Sequence, residues 1–526
     1  MSAAITHTDA ADTTTDETLG SPDTVPAAHH DPESRHFAVA IAGTGFAGVG
    51  MAIRLQQKGI EDFVIFERAQ DFGGTWRDNS YPGCACDVPS HLYSFSFEPN
   101  PGWTRTFSFQ PEIYDYLRRC AERHRLATHA RFGHEILGAV WNAARQRWEI
   151  DTSQGHYSAD VLISGMGALS DPAIPDIPGL ADFKGGTFHS ATWRHDYDLR
   201  GKRVAVIGTG ASAIQFVPQI QHQVAQLDLY QRTPPWVLPR SDRHISRIER
   251  RLYSAVPALQ RLMRDGIYWT RESWVLGFRH PQIMRVAERL ARRHLRRQVS
   301  DPALRDRLTP DYRLGCKRVL ISDDYLSSLD NDNVRVIDTG VSRVTEDAVL
   351  DRDGTARPVD AIIFGTGFRI GDLPAAHRIR GSAGQTLAEE WKGSMQAHRG
   401  TMVAGFPNLF FLLGPNTGLG HTSVVYMIEA QIEYVLECLR HMRLARAGEV
   451  DVRPEAQSAF NDAIQEQMKG TVWTNGGCAS WYLDDTGRNT TLWPDFTFRF
   501  RRQVVEFRPQ EHELRPVTRA PTPIAA

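Results

Sequence analysis

Two glycine-rich turns of the same kind constrain this chain more than any other feature. They are Gly43-Thr44-Gly45-Phe46-Ala47-Gly48 and Gly208-Thr209-Gly210-Ala211-Ser212-Ala213, and their first glycines lie 165 residues apart. Each turn follows an apolar, strand-like run and precedes a helix-like run, which is the order of a βαβ unit. The free N–H groups and the dipole of such a helix N-terminus favour a bound pyrophosphate. The sequence therefore predicts two dinucleotide sites in one chain.

The residue 24 positions after the first glycine distinguishes the two sites. It is Glu67 in the first unit and Arg232 in the second. A carboxylate at this place accepts hydrogen bonds from an unmodified ribose, whereas an arginine neutralises a 2′-phosphate. We therefore predict FAD at the first turn and NADPH at the second. Thr233 is either a further contact to the same phosphate or a turn residue before two prolines.

The predicted fold class is α/β, with two Rossmann-like dinucleotide-binding domains and a helical insert in the NADP domain. Two apolar runs, 160–167 and 360–367, each end in a glycine turn and are the expected crossings between the domains. The FAD domain is then discontinuous. The predicted segments are a disordered tail over 1–35, the FAD domain over 36–168 and 368–526, and the NADP domain over 169–367, with its insert at about 240–310.

The insert is rich in arginine and shows helical spacing of apolar residues, as in Val286, Leu290, Ala291 and Leu295. We expect these apolar residues to pack on the domain beneath while the basic face is solvated. A helix that binds a membrane surface or a partner is the alternative.

Composition narrows the function classes. The 60 Lys and Arg residues nearly balance the 62 Asp and Glu residues, so nothing predicts a nucleic-acid partner. The six cysteines include no CxxC pair and no metal-ligand spacing, which predicts reduced thiols in the cytoplasm and no bound metal. The chain lacks a signal-peptide pattern and an apolar run long enough to span a membrane. A soluble enzyme of unknown oligomeric state is expected.

Two longer patterns resemble the fingerprints of the type I Baeyer–Villiger monooxygenases. The segment Gly73 to Asp87, GGTWRDNSYPGCACD, matches every specified position of their long fingerprint. Their short fingerprint is matched by four residues, Phe183, Gly185, His189 and Trp193. Arg194 follows this tryptophan, where the family commonly has Pro or Asp. The resemblance covers about residues 37 to 500.

The resemblance implies specific roles for a basic pair and an acid. Lys317 would reach the NADPH 2′-phosphate alongside Arg232, and Arg318 would stand over the flavin. Asp87 would hold the Arg318 guanidinium, since a buried arginine without a carboxylate partner is costly. If the segment is extended, the two neighbouring cations project to opposite sides. Arg318 and Asp87 are therefore the candidate catalytic residues.

Further residues are assigned to the cofactors or to the link between the domains. His189 belongs to the linker, where a histidine is more often hydrogen-bonded structure than catalyst. Trp481 resembles a tryptophan that closes over the nicotinamide nucleotide. A strand and glycine-rich loop over 408–423, followed by a helix from about Val424, are expected to present backbone amides to the flavin. The candidate cofactor-binding residues are Gly43, Gly45, Phe46, Gly48, Glu67, Thr75, Trp76, Asp87, Tyr93, Gly208, Thr209, Gly210, Ser212, Arg232, Thr233, Lys317 and Trp481.

The activity implied is NADPH-dependent conversion of a ketone to an ester or lactone with O₂, through a C4a-peroxyflavin and a tetrahedral adduct. Arg318 would stabilise the anions of this reaction. A flavin monooxygenase that oxygenates sulfur or nitrogen is one alternative. A cofactor-binding regulatory protein without turnover is another. A disulfide reductase is disfavoured by the missing CxxC pair.

Overall fold

The structure is a computed structural model of the 526-residue chain and is described here for residues 35–371 and 373–518. The tail predicted over residues 1–35 lies outside the described residues except for Arg35. Strands and helices alternate along the chain and include both predicted βαβ units. The strands are β1 His36–Ala42, β2 Phe63–Glu67, β3 Ala130–Phe132, β4 Ile136–Asn142, β5 Arg147–Thr152, β6 Gly155–Ser164, β7 Gly186–His189, β8 Arg203–Ile207, β9 Gln226–Tyr230, β10 Val237–Leu238, β11 Leu320–Ile321, β12 Val334–Ile337, β13 Val341–Val344, β14 Ala348–Asp351, β15 Ala356–Pro358, β16 Ala361–Phe364, β17 Ile379–Arg380, β18 Leu409–Phe411, β19 Ala447–Val452 and β20 His512–Pro516.

The α-helices include a long C-terminal one and a group within the predicted insert. Short 3₁₀ turns at Leu126–Thr128, Leu180–Asp182, Ser190–Thr192, Pro374–His377 and Pro509–Glu511 join other elements. The helices are α1 Phe46–Gln57, α2 Thr75–Asp78, α3 Gln110–Arg123, α4 Ala213–Gln221, α5 Arg247–Ala255, α6 Pro257–Glu272, α7 Trp274–Arg279, α8 Met284–Gln298, α9 Pro302–Arg307, α10 Tyr325–Ser328, α11 Leu387–Trp391, α12 Val424–Ala445, α13 Pro454–Met468, α14 Val472–Asn475 and α15 Thr497–Val504.

The first sheet contains the first glycine turn. Its strand order is β17-β4-β5-β6-β1-β2-β3, and β18 pairs with the end of β6. β1 is parallel to both β2 and β6, and its residues from Val39 onward are buried. Strands covered on both faces can be apolar throughout, which explains the unbroken apolar runs in the sequence. The N-terminal and C-terminal parts of the chain both contribute to this sheet.

The second sheet contains the second glycine turn. Its order is β12-β9-β8-β16-β7, and all its pairs are parallel. β6 and β16 are the two runs expected at the crossings, and they belong to the first and second sheet respectively. The α/β class with two dinucleotide-binding units is therefore confirmed. The exact domain boundaries stay a prediction.

Helices α5 to α9 form the insert between β10 and β11, as the arginine-rich pattern predicts. The prediction that its apolar residues pack beneath is only partly right. Ala291 and Leu295 are buried, but Val286 and Leu290 are exposed. The periodic pattern identifies the faces of a helix but does not show which face packs against another element. In the structure, α8 packs against β10 and α10 through the side that carries Ala291 and Leu295. No helix among the described residues is long and apolar enough to cross a membrane.

Candidate active site

The first glycine turn places the N-terminus of α1 beside open space. Gly45 precedes α1, and no side chain caps its N–H groups. A Cβ on Gly48 would lie 1.9 Å from the Gly43 carbonyl oxygen, so a side chain at residue 48 would force the turn apart. A Cβ on Gly45 would meet only the Gly74 Cα, at 3.8 Å. The turn thus offers unpaired amides for a pyrophosphate.

Glu67 is held rigidly at the end of β2, where it is 5% exposed. Its Oε2 accepts hydrogen bonds from the backbone N and the Oγ1 of Thr44, at 3.1 and 2.6 Å. Its Oε1 accepts one from the Ala69 N at 2.9 Å and lies 3.3 Å from Nη1 of Arg77. The carboxylate therefore has a fixed orientation next to the glycine turn, as a ribose acceptor requires.

The long fingerprint folds over the same turn. Gly74 lies against Gly45, and the following helix α2 begins at Thr75, which is exposed. Trp76 is buried, and its Nε1 donates to the Tyr93 hydroxyl at 3.0 Å. The Phe46 ring packs 5.0 Å from the Tyr93 ring. These residues are brought together at the first turn, although Trp76 and Tyr93 satisfy each other's polar groups.

The second turn repeats the first, but Ala213 stands where the first turn has Gly48. Gly208 has a φ of +106° and leads to Gly210, where a Cβ would be 3.7 Å from the Gly365 carbonyl oxygen. Ser212 precedes α4 without a side-chain capping bond. Thr209 donates through Oγ1 to the Thr233 carbonyl at 3.5 Å. The Thr233 backbone is thus part of the turn.

Two cations face each other beside this second turn. Arg232 follows β9 and is exposed, and the Lys317 ammonium lies 4.9 Å from the centroid of the Tyr312 ring. Burial and the charge of Arg232 lower the pKa of Lys317, and Asp311 partly opposes this effect. Like charges at close range favour a bound anion between them. The two cations are near enough to influence each other, and their binding of a 2′-phosphate stays a prediction.

Arg318 and Asp87 form an ion pair across 231 residues of sequence. The Nε and Nη2 atoms of Arg318 donate to Oδ2 of Asp87 at 3.0 and 2.5 Å. The Arg318 side chain is 40% exposed and the Asp87 side chain 26%, so the pair borders open space. Burial would raise the pKa of Asp87, but Arg318 outweighs it and keeps that pKa below its ordinary value. The acid is therefore ionised and orients the guanidinium.

The segment with the basic pair is bent rather than extended. Residues 314–317 form a turn and bend, and Arg318 and Val319 lead into β11. Lys317 contacts Tyr312 while Arg318 contacts Asp87, so the two cations still serve different neighbours. The bend, not strand alternation, separates them.

Two further residues at this pair were missed by sequence reasoning. Tyr482 is 2% exposed, and burial raises its pKa to about 12 while Arg318 partly opposes the rise. Arg271 on α6 lowers the pKa of Asp87 further, and its guanidinium lies 5.8 Å from the centroid of the Phe107 ring. Neither residue lies in a motif, so only their position after Trp481 and within the insert could have suggested them. Trp481 itself is 49% exposed, and its ring lies 4.4 Å from the Tyr482 ring at an interplanar angle of 59°.

Comparisons with known proteins agree with this geometry. The flavin-binding monooxygenase-like family model matches residues 36–374. A Baeyer–Villiger monooxygenase of Streptomyces coelicolor is 52% identical over 502 residues, covering 95% of this chain and 96% of the relative. The chain belongs to the Baeyer–Villiger monooxygenases. One of Pseudomonas aeruginosa is also 52% identical, over 94% of this chain and 93% of its own.

Solved structures of this family share the fold. Cyclohexanone monooxygenase from Rhodococcus sp. Phi1 bound to NADP⁺ has a TM-score of 0.81 at 26% identity, covering 92% of this chain and 99% of that one. A steroid monooxygenase bound to NADP has a TM-score of 0.81 at 27% identity, covering 91% and 100%. The enzyme is thus a flavoprotein monooxygenase that uses FAD and NADPH, as predicted.

The residues present fit these cofactors. The uncapped helix start at Gly45 and the fixed carboxylate of Glu67 suit FAD, whose ribose carries free hydroxyls. The neighbouring cations Arg232 and Lys317 suit a nucleotide with an additional phosphate.

The short fingerprint of the enzyme lies against the second sheet and α4. His189 ends β7 beside β16 and is 1% exposed, and its Nδ1 accepts from the Ala191 N at 3.1 Å. The Trp193 ring packs 5.3 Å from the Phe216 ring of α4, and Gly185 fits between Phe183 and the Asp360 backbone. These contacts agree with a linker role, which stays a prediction.

The long fingerprint also joins the two halves of the enzyme. The Gln215 side chain of α4 accepts from the Ala85 N at 3.2 Å and donates to the Ala85 carbonyl at 2.9 Å. Tyr81 donates to the same side chain at 3.0 Å. Gly83 has a φ of +76°, and a Cβ there would lie 2.6 Å from the Gln215 carbonyl oxygen. The segment leading to Asp87 is therefore fixed to the NADP-binding half.

The prediction of six reduced thiols is wrong for two of them. Cys316 and Cys478 form a disulfide across 162 residues, with their Cα atoms 6.2 Å apart. The Arg313 N donates to the Gly476 carbonyl at 2.9 Å, and this bond aligns the two segments that carry the cysteines. Because the segments are far apart in the sequence, the spacing of the cysteines does not predict the disulfide. The four free cysteines, Cys84, Cys86, Cys120 and Cys438, are buried.

Proposed function

We propose that this chain oxygenates a ketone to an ester or lactone, with Arg318 as the catalytic cation and Asp87 as the residue that orients it. The ion pair between them is the observation that carries the proposal. It supports ketone oxygenation because this reaction develops negative charge that a fixed, permanent cation stabilises. When bound, FAD supplies oxygen activation after reduction by NADPH.

Arg318 keeps donors free for the reacting oxygens. Its bonds to Asp87 use Nε and Nη2, which leaves the two N–H groups of Nη1. As the ketone carbon becomes tetrahedral, these groups can donate to the oxygen that gains charge. One well-placed donor of this kind is worth about 3 kcal/mol in the transition state.

Asp87 contributes by holding one orientation of the guanidinium. Its pKa is lowered by Arg318 and Arg271, so it stays a carboxylate throughout the neutral range. Tyr482 lies beside the pair as a protonated phenol, since its pKa is about 12. Its phenol is close enough to Arg318 and Asp87 for both charges to affect its pKa.

The nucleotide would be held by Arg232 and Lys317. Their mutual repulsion is relieved when a 2′-phosphate lies between them, and a charged hydrogen bond to each adds affinity. Lys317 is the sequence neighbour of Arg318, so nucleotide binding and the reacting site would share a short segment.

The decisive test is Arg318→Ala, with Arg318→Lys as the charge-preserving partner. We expect NADPH to reduce the flavin of Arg318→Ala at close to the wild-type rate. Ester formation should fall about 10² to 10³-fold, because one oxyanion donor is lost. Consumed oxygen should appear as hydrogen peroxide. Stopped-flow reduction, product analysis and a peroxide assay measure these quantities.

Arg443→Ala, at an exposed position of α12, is the matched control and should leave all three rates unchanged. Ester formation by Arg318→Ala at the wild-type rate would reject the assignment. A panel of ketones and a thioether, assayed by NADPH loss and product identity, separates ketone oxygenation from sulfur oxygenation. Oxidation of the thioether alone would reject the ketone proposal.

A further inference from the structure

The insert exposes apolar side chains along one side of two consecutive helices. Ile248 and Leu252 are four residues apart on α5, and Leu262 and Trp269 are seven apart on α6, so each pair shares a helix face. We use the term insert face for the exposed residues Ile248, Leu252, Val256, Leu262, Met263 and Trp269.

The exposure of this face is large for apolar side chains. Ile248 is 78% exposed, Leu262 67% and Trp269 58%. The Trp269 ring extends the face to Phe498, 5.9 Å away and also exposed. Scattered apolar residues are normal on a protein surface, but six within residues 248–269 of two consecutive helices indicate a binding surface.

The opposite side of the same helix is fixed to the body of the protein. Arg264 of α6 donates through Nη1 to the carbonyls of His91 and Ser94, at 2.7 and 3.0 Å. Glu272 at the end of α6 accepts from the Thr497 hydroxyl at 2.9 Å. The insert face is therefore not a part of the hydrophobic core that has lost its packing partner. The helix has one anchored side and one outward apolar side.

Charge identifies what the insert face binds. Residues 247–298 contain 13 arginines and four acidic residues, a formal net charge of +9 in a chain whose net charge is −2. Arg247, Arg250 and Arg251 line a shallow open depression together with Ser254. Nε of Arg250 is buried and has no hydrogen-bond partner within the described residues. The depression is thus suited to an anionic phosphate group next to Ile248 and Leu252.

We propose that the insert face is a docking surface for a bilayer that contains anionic phospholipid. Apolar residues with a tryptophan would enter the boundary between headgroups and acyl chains, and the arginines would pair with headgroup phosphates. The attachment lies in the plane of the membrane, so it needs no spanning helix.

A second copy of the chain is the competing occupant. A two-fold interface through the insert face would bring two segments of net charge +9 together. Repulsion of this size opposes self-association but favours an anionic membrane, because many lipid charges are available to neutralise the arginines. The charge of the insert therefore favours the bilayer.

The test is sedimentation of the FAD-loaded enzyme with lipid vesicles. Vesicles of phosphatidylcholine mixed with phosphatidylglycerol should bind the enzyme at low salt and release most of it at high salt. Vesicles of phosphatidylcholine alone should bind much less. Failure to bind the mixed vesicles at low salt would overturn the proposal.

Two variants separate the apolar and charged contributions. Arg247→Gln combined with Arg251→Gln should weaken binding to mixed vesicles about 30-fold, from about 1 kcal/mol for each basic residue near the surface. Leu262→Gln should weaken it about tenfold, since an apolar contact with the acyl boundary is lost. Both should keep wild-type FAD content and turnover in solution, because neither site contacts a cofactor-binding residue.

Matched controls lie on α12. Arg443→Gln and Leu444→Gln change equally exposed residues outside the insert and should bind vesicles like the wild type. Equal binding by the insert variants and these controls would overturn the proposal. So would a concentration-dependent dimer in sedimentation velocity that Leu262→Gln dissociates, because a second copy would then occupy the face.

Discussion

The two glycine turns share a sequence pattern but differ in how completely the protein satisfies them. At the first turn, Thr44, Ala69 and Arg77 already hold Glu67 in place. At the second turn, Arg232 and Lys317 face each other, and the charge of Arg232 lowers the pKa of Lys317. The carboxylate of the first site already has its hydrogen-bond partners, whereas a bound anion would relieve the repulsion between the two cations of the second site.

This difference matches two kinds of cofactor. A site whose polar groups are fixed in advance loses little entropy on binding and can retain its ligand through many turnovers. A site with two repelling cations gains most from the ligand's phosphate and weakens when that phosphate is absent. We infer that the first site keeps FAD and the second exchanges NADPH and NADP⁺ in every cycle.

The largest expected effect comes from filling the tighter turn. In Gly48→Ala the new Cβ would lie 1.9 Å from the Gly43 carbonyl oxygen, so the backbone must move. Overpacking of this kind costs about 2 kcal/mol or more, which weakens FAD binding about 30-fold. Flavin absorbance of the purified protein measures the retained cofactor.

The second turn provides the control for this experiment, because Ala213 stands at the position equivalent to Gly48. Ala213→Gly should leave the FAD content unchanged. If Gly48→Ala were purified with a full complement of FAD, the two turns would not differ in tightness as described.

A smaller effect is expected from removing the cations of the second site. Arg232→Ala or Lys317→Ala should raise the KM for NADPH about tenfold to a hundredfold, because each loses a hydrogen bond to a charged phosphate. The KM for NADH should change little, and FAD content should stay at the wild-type level. Steady-state kinetics with both nucleotides measure the loss of selectivity.

Arg200→Ala, an exposed arginine of the same half paired with Asp198, is the control and should keep the NADPH preference. An unchanged ratio of NADPH to NADH activity in both site variants would mean that other residues recognise the 2′-phosphate.

The smallest expected effect is on pH dependence. Because burial and Arg232 lower the pKa of Lys317, its ammonium loses its proton at a lower pH than an ordinary lysine. The KM for NADPH should therefore rise severalfold as pH increases toward that range, while the KM for NADH stays nearly constant. Lys317→Arg should remove this rise, since arginine stays charged. A rise of equal size in Lys317→Arg would assign the titration to another group.

Sequence reasoning was strongest where local chemistry dictates local structure. β2 ends at Glu67 as expected, because an apolar run and the preceding glycine turn define a βαβ unit within a few dozen residues. The helix after the late glycine loop begins at Val424 as expected, with Ser423 as its N-cap. The Arg318 and Asp87 pair followed from the family resemblance, since no local rule joins residues so far apart.

The sequence-based predictions that failed, and the residues that they missed, depend on contacts between distant segments of the chain. The periodic pattern correctly predicted that Val286 and Leu290 lie on a helix, but it did not predict that both are exposed. Which side of a helix is exposed depends on the elements that pack against it in the folded protein. Tyr482 lies at the catalytic pair without belonging to a motif. The Gln215 side chain contacts the backbone N and carbonyl of Ala85. Every residue except proline carries both groups, so the amino-acid sequence does not indicate this contact.

The disulfide limits how far the aromatic loop can travel. Cys478 is tethered with its Cα 6.2 Å from that of Cys316, and Trp481 comes three residues later. Three residues of fully extended chain reach about 11 Å, so the Trp481 Cα can never be more than about 17 Å from the Cys316 Cα. Any opening of this loop must therefore keep the Trp481 backbone within that radius of the segment that carries Lys317 and Arg318.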